Sequence, residues 1–218
     1  MNIGLLGAGT VGGNVAKLIR ERDELGFVLS KVLVRDLNKA RAGIDNAHLT
    51  TNPSEIIDAS DILVEVMGGM TLATETMLAA LQCGKRVVTA NKAALAEQWQ
   101  TFKPYIQKGL LYFEASVMAG TPTIGALTGV LRGSRPLELH AILNGTCNYI
   151  LSEIEKGVPY EKALKEAQTL GYAEADPKLD VEGFDAAHKL TVLARLVFDP
   201  EVAWEDVEPH TKGIVHIT

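Results

Sequence analysis

Apolar residues in the first half of the chain fall into two alternating patterns. Five short runs rich in β-branched residues have the composition of buried parallel strands, and they occupy residues 3–6, 28–34, 62–66, 86–89 and 111–113. Between these runs, apolar residues recur at helical spacing, as at Val11, Val15, Leu18 and Ile19. Alternating strands and helices predict a doubly wound, mostly parallel sheet of the α/β class.

The pattern changes near residue 125. Before it, helical spacing recurs at Met77, Leu78 and Leu81 and again from residue 92 to about 108, and after it residues 138–143 have the pattern of one more strand. The remainder is typical of helices joined by turns. We therefore expect a dinucleotide-binding domain over residues 1–125 and an α+β substrate and dimerisation domain over residues 126–218.

Two helices of the second domain have recognisable ends. Pro159 suits the first position of a helix and Gly171 suits a left-handed cap, so this helix should stop at Leu170. Asp185 opens the other helix. Its predicted apolar face consists of Ala186, Leu190, Leu193, Ala194 and Val197.

Composition narrows the class of partner. With 47% hydrophobic residues, the 218-residue chain can bury a substantial core, and a net charge of −6 provides no field that attracts nucleic acid. The two cysteines are far apart in the sequence and in no metal-ligand spacing. Neither a basic leader nor a membrane-spanning apolar run occurs in the sequence. These features favour a cytoplasmic protein that binds a small molecule, with neither nucleic acid nor a membrane as partner.

A glycine-rich turn directly follows the first predicted strand and opens the first predicted helix. It reads Gly-Ala-Gly-Thr-Val-Gly over residues 7–12. Gly7 permits the tight turn, Gly9 lets main-chain amides approach a pyrophosphate, and Gly12 lets the helix pack closely. This context predicts a nicotinamide dinucleotide site that includes Thr10 and Val11 at the helix N-terminus. The alternative is a glycine-rich turn that binds no ligand.

Arg35 and Asp36 follow the second predicted strand. Dinucleotide-binding folds contact the adenosine ribose at this place. The pair points both ways, because a carboxylate accepts a hydrogen bond from the 2′-hydroxyl of NAD whereas an arginine favours the 2′-phosphate of NADP. We favour NADP, through Arg35, with NAD tolerated. Both residues could instead be solvated loop charges.

Two further segments follow predicted strands, at the sheet edge where doubly wound folds bind ligands. The first, Met67-Gly68-Gly69, would let the main chain lie close to a nicotinamide or ribose. The second, Thr89-Ala90-Asn91-Lys92, brings a cation to the same edge. An ordinary surface lysine at a helix start is the alternative for Lys92.

Acidic residues and a lysine cluster late in the chain. Glu174, Asp180 and Asp185 precede Lys189, and the four-residue spacing puts Asp185 and Lys189 on one helix face. Such a set could bind an amino-acid ammonium group and donate a proton to a carbonyl oxygen. The alternative is a surface ion pair worth about 0.3 to 0.5 kcal/mol beside a solvated acidic loop. His188 points elsewhere on the helix, which favours a structural role.

Five blocks, in order along the chain, resemble homoserine dehydrogenase. They read GAGTVG at residue 7, TANKAALA at residue 89, EASVMAGTP at residue 114, LNGTCNYIL at residue 143, and LGYAEADP followed by DVEGFDAAHKL from residue 170. The resemblance implies reversible reduction of L-aspartate 4-semialdehyde to L-homoserine with NADPH or NADH. This reaction is a step toward threonine, methionine and isoleucine. A homodimer is also implied.

The resemblance also implies residue roles. Lys189 matches the proton donor to the aldehyde oxygen, and Lys92 matches a second active-site lysine. Glu174 and Asp185 match carboxylates that hold the substrate, with Asp180 close by. A monovalent cation, Na⁺ or K⁺, would be held largely by main-chain oxygens at four positions, and oxygen ligands suit such a hard cation. These positions are Glu114, Val117, Ala119 and Thr121.

Members of that family usually continue well past the segment resembling residues 213–218, so we expect the second domain to be incomplete in this chain. Two alternative functions stay open. One is another nicotinamide-dependent reductase of an amino acid or its imine, which would share the N-terminal half. The other is a non-catalytic fragment that senses NAD(P).

Overall fold

The computed structural model describes residues 1–207 and 213–215. The chain forms two compact units, Met1–Thr121 and Pro122–Thr218. The boundary lies four residues before the change placed near residue 125 from the sequence. Residues 208–212 and 216–218, which belong to the expected second domain and to its closing segment, lie outside the described residues.

The first unit is built on one parallel sheet of six strands. Their order across the sheet is β3-β2-β1-β4-β5-β6, which is the order of dinucleotide-binding folds and reverses direction between β1 and β4. The strands are β1 (Asn2–Leu6), β2 (Val28–Leu33), β3 (Leu49–Thr50), β4 (Ile62–Glu65), β5 (Arg86–Thr89) and β6 (Leu111–Tyr112). The doubly wound α/β prediction is confirmed. β3 escaped prediction because two residues are too few to establish a pattern.

Six helices accompany this sheet. They are α1 (Thr10–Glu21), α2 (Pro53–Asp58), α3 (Thr71–Gln82), α4 (Lys92–Glu97), α5 (Trp99–Gln107) and α6 (Ala115–Met118). The single helical stretch expected from residue 92 to about 108 is wrong in one respect. At Gln98 the main chain leaves the helical region, with φ −114° and ψ 28°, and α5 starts afresh with Trp99 and Phe102 buried.

Strands and helices both contribute buried residues to the core of the first unit. Leu5 and Leu6 of β1 and Val32 of β2 are 0% exposed, as expected for parallel strands that are covered on both faces. Against this sheet, α1 buries the small residues Gly12 and Ala16.

The second unit contains five helices in its described part. They are α7 (Thr123–Thr128), α8 (Gly145–Glu155), α9 (Tyr160–Thr169), α10 (Lys178–Val181) and α11 (Phe184–Val197). α8, α9 and α10 surround a small apolar core that includes Ile150, Ala163 and Val181. Pro159 lies just before α9 with extended backbone rather than at its first helical position, and Gly171 has the predicted left-handed conformation, with φ 78°.

The strand expected at residues 138–143 is wrong. These residues adopt no regular structure, and no strand occurs among the described residues of the second unit. Ile142 is 69% exposed and Leu137, just before the segment, is 87% exposed. A strand is stable only when its main-chain groups pair with a neighbouring strand, and the described part of this unit offers none.

The apolar face predicted for α11 is also wrong in part. Leu190 is exposed, and of the predicted face only Leu193 is fully buried. The buried side of α11 instead carries several polar residues, because their side chains find partners inside the unit. These polar residues are Asp185, His188, Thr191 and Arg195.

The described residues, 1–207 and 213–215, contain no helix that is both long enough and apolar enough to cross a lipid bilayer.

Candidate active site

The glycine turn of the first unit has the geometry that its sequence predicts. Gly7 adopts φ 99°, which favours glycine, and its N–H donates to the Leu33 carbonyl oxygen at 3.1 Å. A Cβ atom on Gly12 would lie 2.1 Å from the Gly7 oxygen, so α1 can start here only with glycine. At Gly9, by contrast, no heavy atom lies within 4 Å of such a Cβ position. This open space beside a helix N-terminus fits a dinucleotide pyrophosphate.

The buried carboxylate of Glu65 supports the loop after β4, a role that the sequence did not predict. Glu65 ends β4 and is 0% exposed. Its Oε1 accepts hydrogen bonds from the main-chain N–H groups of Met67 and Gly68, both at 3.0 Å. Its Oε2 accepts one from Thr89 Oγ1 at 2.6 Å. One side chain thus joins the carboxyl ends of β4 and β5.

Asn91 extends this arrangement to α4. Its Nδ2 donates to the Gly69 carbonyl oxygen at 2.7 Å, and its Oδ1 accepts from the Ala94 N–H at 3.1 Å. The predicted residue Thr89 is 1% exposed and its hydroxyl is engaged by Glu65, so any contact it makes with a cofactor is through the main chain. Lys92 is the first residue of α4 and is half-buried.

A cleft of about 510 Å³ opens beside the glycine turn and α1. Its lining includes Gly9 and Thr10 of the turn together with four cationic side chains, Lys17, Arg20, Lys39 and Arg41. The cleft therefore concentrates positive charge on a chain whose net charge is −6. Anions are the ligands that such a cleft favours.

Arg35 and Asp36 lie at the end of β2 and are both exposed. Asp36 Oδ1 accepts a hydrogen bond from the Asn38 N–H at 2.8 Å, so this carboxylate caps its own turn.

The segment predicted to hold a cation surrounds α6. Glu114 precedes this helix, Val117 is buried within it, and Ala119 follows it with φ 49° and ψ −112°. Among the described residues, Ala119 is the only non-glycine residue with positive φ. Thr121 closes the turn through its N–H, which donates to the Met118 oxygen at 2.9 Å. Throughout the described residues, 1–207 and 213–215, no group of three or more His, Cys, Asp or Glu side chains is placed to hold a metal ion.

In the second unit, Lys189 is held by two acceptors. Its Nζ donates to Asp185 Oδ2 at 2.7 Å and to the Leu143 carbonyl oxygen at 2.8 Å. The side chains of Lys189 and Asp185 are 18% and 9% exposed. The alternative of a surface ion pair is therefore wrong, because a surface pair would be largely solvated.

Asn144 joins the two aspartates, although the sequence reading assigned it no role. Its Nδ2 donates to Asp180 Oδ1 at 2.7 Å and to Asp185 Oδ2 at 2.8 Å. Its Oδ1 accepts from the Cys147 N–H at 2.7 Å and so caps α8. The signal that could have found it is an asparagine directly before a helix start, which is a favoured N-cap.

Cys147 lies beside the two aspartates, and its environment raises the pKa of its thiol. Its Sγ donates to the Asp180 carbonyl oxygen at 3.1 Å. Burial, together with the charges of Asp180 and Asp185, raises the pKa of the Cys147 thiol to about 11.

Two other residues singled out from the sequence lie apart from this network. The predicted substrate ligand Glu174 is exposed in the turn between α9 and α10, and its main-chain oxygen accepts from Gln168 Nε2 at 3.2 Å. His188 is 7% exposed and its ring stacks on Trp204, with ring centroids 4.5 Å apart. This packing agrees with the structural role expected for His188.

Comparison with known proteins assigns both units. Residues 7–104 match the family model for the NAD-binding domain of homoserine dehydrogenase, and residues 122–218 match the model for homoserine dehydrogenase itself. A solved structure from Archaeoglobus fulgidus, assigned as a homoserine dehydrogenase, has 34% identity and a TM-score of 0.83. It covers 100% of this chain, which in turn covers 74% of that protein. The chain belongs to the homoserine dehydrogenase family.

Other members of the family are similar over most of the chain. Homoserine dehydrogenase from Neisseria gonorrhoeae is 43% identical over 91% of this chain and 48% of its own length. A hyperthermophilic archaeal homoserine dehydrogenase in complex with NADPH has 28% identity and a TM-score of 0.76, over 90% of this chain and 69% of that one. The chain spans about half the length of the curated relatives that it matches.

Proposed function

We propose that the protein catalyses the reversible reduction of L-aspartate 4-semialdehyde to L-homoserine with a nicotinamide dinucleotide, in the biosynthesis of threonine, methionine and isoleucine. The observation that carries this proposal is the position of Lys189, whose Nζ is held by Asp185 and by the Leu143 carbonyl oxygen. A partly buried lysine with a fixed partner is suited to proton transfer at one defined place. It lies in the unit that matches the homoserine dehydrogenase family model.

The first unit holds the dinucleotide. Gly7, Gly9 and Gly12 shape the pyrophosphate site, with Thr10 and Val11 at the N-terminus of α1. The loop after β4, at Met67 and Gly68, and the residues after β5, from Thr89 to Lys92, line the carboxyl edge of the sheet. When bound, the nicotinamide supplies or accepts the hydride.

In the direction of reduction, Lys189 Nζ gives a proton to the oxygen of the aldehyde as that oxygen becomes an alkoxide, and in oxidation it takes the proton back. Asp185 accepts a hydrogen bond from Lys189 Nζ at 2.7 Å and so fixes the direction of this side chain. Lys92 stabilises the developing negative charge. Glu174 and Asp185, with Asp180 close by, hold the substrate and so orient the reacting carbon.

Replacing Lys189 tests this assignment. We expect Lys189→Ala to reduce turnover on the order of 10² to 10⁴-fold, because it removes the proton donor. Cofactor affinity should change little, since the dinucleotide residues belong to the other unit. The measurement is absorbance of the reduced nicotinamide with L-homoserine and NADP or NAD, together with cofactor titration by fluorescence.

Lys162→Ala is the matched control, because Lys162 is exposed on α9. Near-normal turnover in Lys189→Ala would refute the role of this lysine. If the unaltered protein binds cofactor yet turns over neither NADP nor NAD with homoserine, the non-catalytic alternative is supported instead.

For the cofactor we propose a preference for NADP. The support is the cleft beside the glycine turn, whose cationic side chains suit a second phosphate, and the exposed Arg35 after β2. The Asp36 carboxylate already accepts a hydrogen bond from the Asn38 N–H, which makes it less suited to bind a ribose hydroxyl of NAD. Lower KM for NADP than for NAD in the same assay is the expected result.

We also propose that a monovalent cation, Na⁺ or K⁺, binds main-chain oxygens at Glu114, Val117, Ala119 and Thr121. The support is the strained main chain at Ala119, since such strain concentrates at functional sites. We further propose a homodimer, which family membership favours, and a cytoplasmic location, which the low cysteine content favours. Light scattering at several protein concentrations measures the assembly state.

A further inference from the structure

Asn144 makes contacts that the proposed chemistry does not use directly. It is 7% exposed, and every polar atom of its side chain is engaged, by Asp180, Asp185 and the Cys147 N–H. A main-chain N–H can only donate, so the atom that accepts from Cys147 is Oδ1. The amide nitrogen, with its two hydrogens, must therefore point at the two carboxylates.

This orientation places one neutral donor between two acids. Asp180 lies on α10 and Asp185 on α11, so the side chain of Asn144 fixes the spacing of two helices at the place where their carboxylates meet. The amide group is uncharged and donates one hydrogen bond to each carboxylate. Asp185 can therefore still accept the charge-assisted hydrogen bond from Lys189. Lys189 Nζ approaches the same Oδ2 of Asp185, at 2.7 Å.

We infer that Asn144 is a positioning residue of the active site, whose amide group holds Asp185, the partner of Lys189, at a fixed position relative to Asp180. The inference rests on the function proposed above. Asn144 does not touch the reacting atoms and acts only through the two aspartates. Small displacements of catalytic groups are costly, and an error of about 1 Å can reduce turnover about 100-fold.

Capping of α8 is the competing explanation, and two substitutions separate it from positioning. Asn144→Asp keeps an N-cap acceptor of equal quality but puts a third carboxylate where the amide was. Asn144→Ser keeps a capping side chain but is too short to reach the aspartates. Asn148→Asp is the matched control, because it adds the same charge to an exposed position one turn along α8.

We expect Asn144→Asp to reduce kcat about 100-fold at neutral pH. Activity should recover partly on acidification, because a third carboxyl group beside two others keeps its proton to a higher pH and can then donate one hydrogen bond. Asn144→Ser should lose activity without this recovery, and Asn148→Asp should match the unaltered protein. Full activity of Asn144→Asp at neutral pH, or equal losses with unchanged pH profiles in both variants, would overturn the inference.

A second readout does not depend on turnover. In protein carrying ¹³C-labelled aspartate, the carboxyl signals of the cluster should titrate at higher pH in Asn144→Asp than in the unaltered protein, while Asn148→Asp leaves them in place. If the unaltered protein shows no homoserine turnover, the proposed function fails on its own, and this titration still decides the role of Asn144. Unmoved signals would refute it.

Discussion

The glycine turn at the start of α1 and the cluster around Asp185 differ in what gives them their shape. The turn is formed by main-chain atoms, and its shape depends on the close approach of the Gly7 oxygen to Gly12, which has no Cβ. The cluster is made of side chains, in which Asn144, Asp185 and Lys189 depend on one another. A site of the first kind fails when an atom is added. A site of the second kind fails when a hydrogen-bond donor is exchanged.

The largest effect expected in the first unit comes from one added carbon. Gly12→Ala would place Cβ 2.1 Å from the Gly7 oxygen, and because that atom is main chain it cannot rotate away. We expect a loss of about 3 kcal/mol in the free energy of unfolding, the upper part of the usual range for overpacking. Urea unfolding followed through Trp99 in a Trp204→Phe background measures it, because each unit contains one of the two tryptophans.

Gly13→Ala is the control for this measurement. It lies in the same helix, and no heavy atom lies within 4 Å of its Cβ position. This variant should be as stable as the unaltered protein or more stable by up to about 1 kcal/mol, since alanine favours helix. Equal stability of Gly12→Ala and Gly13→Ala would mean that the turn is not shaped by close main-chain packing.

Glu65 shares features of both kinds of site, because it is a side chain that supports main-chain groups. Glu65→Gln would face the Thr89 hydroxyl with an amide nitrogen in place of an acceptor. We expect a loss of about 1 to 3 kcal/mol, the usual cost of leaving a buried polar group without its partner. Thermal unfolding should show a lower Tm than Glu75→Gln, a control at an exposed position of α3. A Tm equal to that of the control would contradict the supporting role.

The smallest effect is chemical and leaves the fold intact. The pKa of about 11 keeps the Cys147 thiol protonated at pH 8, and a protonated thiol is a poor nucleophile. Iodoacetamide should therefore modify the exposed Cys83 at least about tenfold faster than Cys147, as followed by peptide mass spectrometry. Comparable rates would show that burial and the neighbouring aspartates do not keep the Cys147 thiol protonated.

Five of the six strands of the first unit could be predicted from sequence to within one residue at each end, and β3 is the exception. A strand that is covered on both faces, such as β1, favours a run of apolar residues that can be recognised in the sequence. The glycine turn could be predicted for a related reason, since main-chain geometry restricts residue type directly at Gly7 and Gly12.

Features that depend on a distant partner could not be predicted. The pattern at residues 138–143 is that of a strand, yet a strand also requires a neighbour, which a local pattern does not specify. The apolar face of α11 was predicted wrongly for the same reason. Asp185 and His188 are buried against partners that are distant in the sequence. The sequence predicted no role for Glu65 or Asn144, because their roles depend on contacts up to 41 residues away.

The sheet of the first unit tapers toward both sides. Its outermost strands, β3 and β6, contain two residues each, whereas the four strands between them contain four to six. Unpaired main-chain groups at a sheet edge are a template on which another chain can add a strand, and short edges limit this growth. We therefore expect this sheet to resist edge-to-edge aggregation even at high protein concentration.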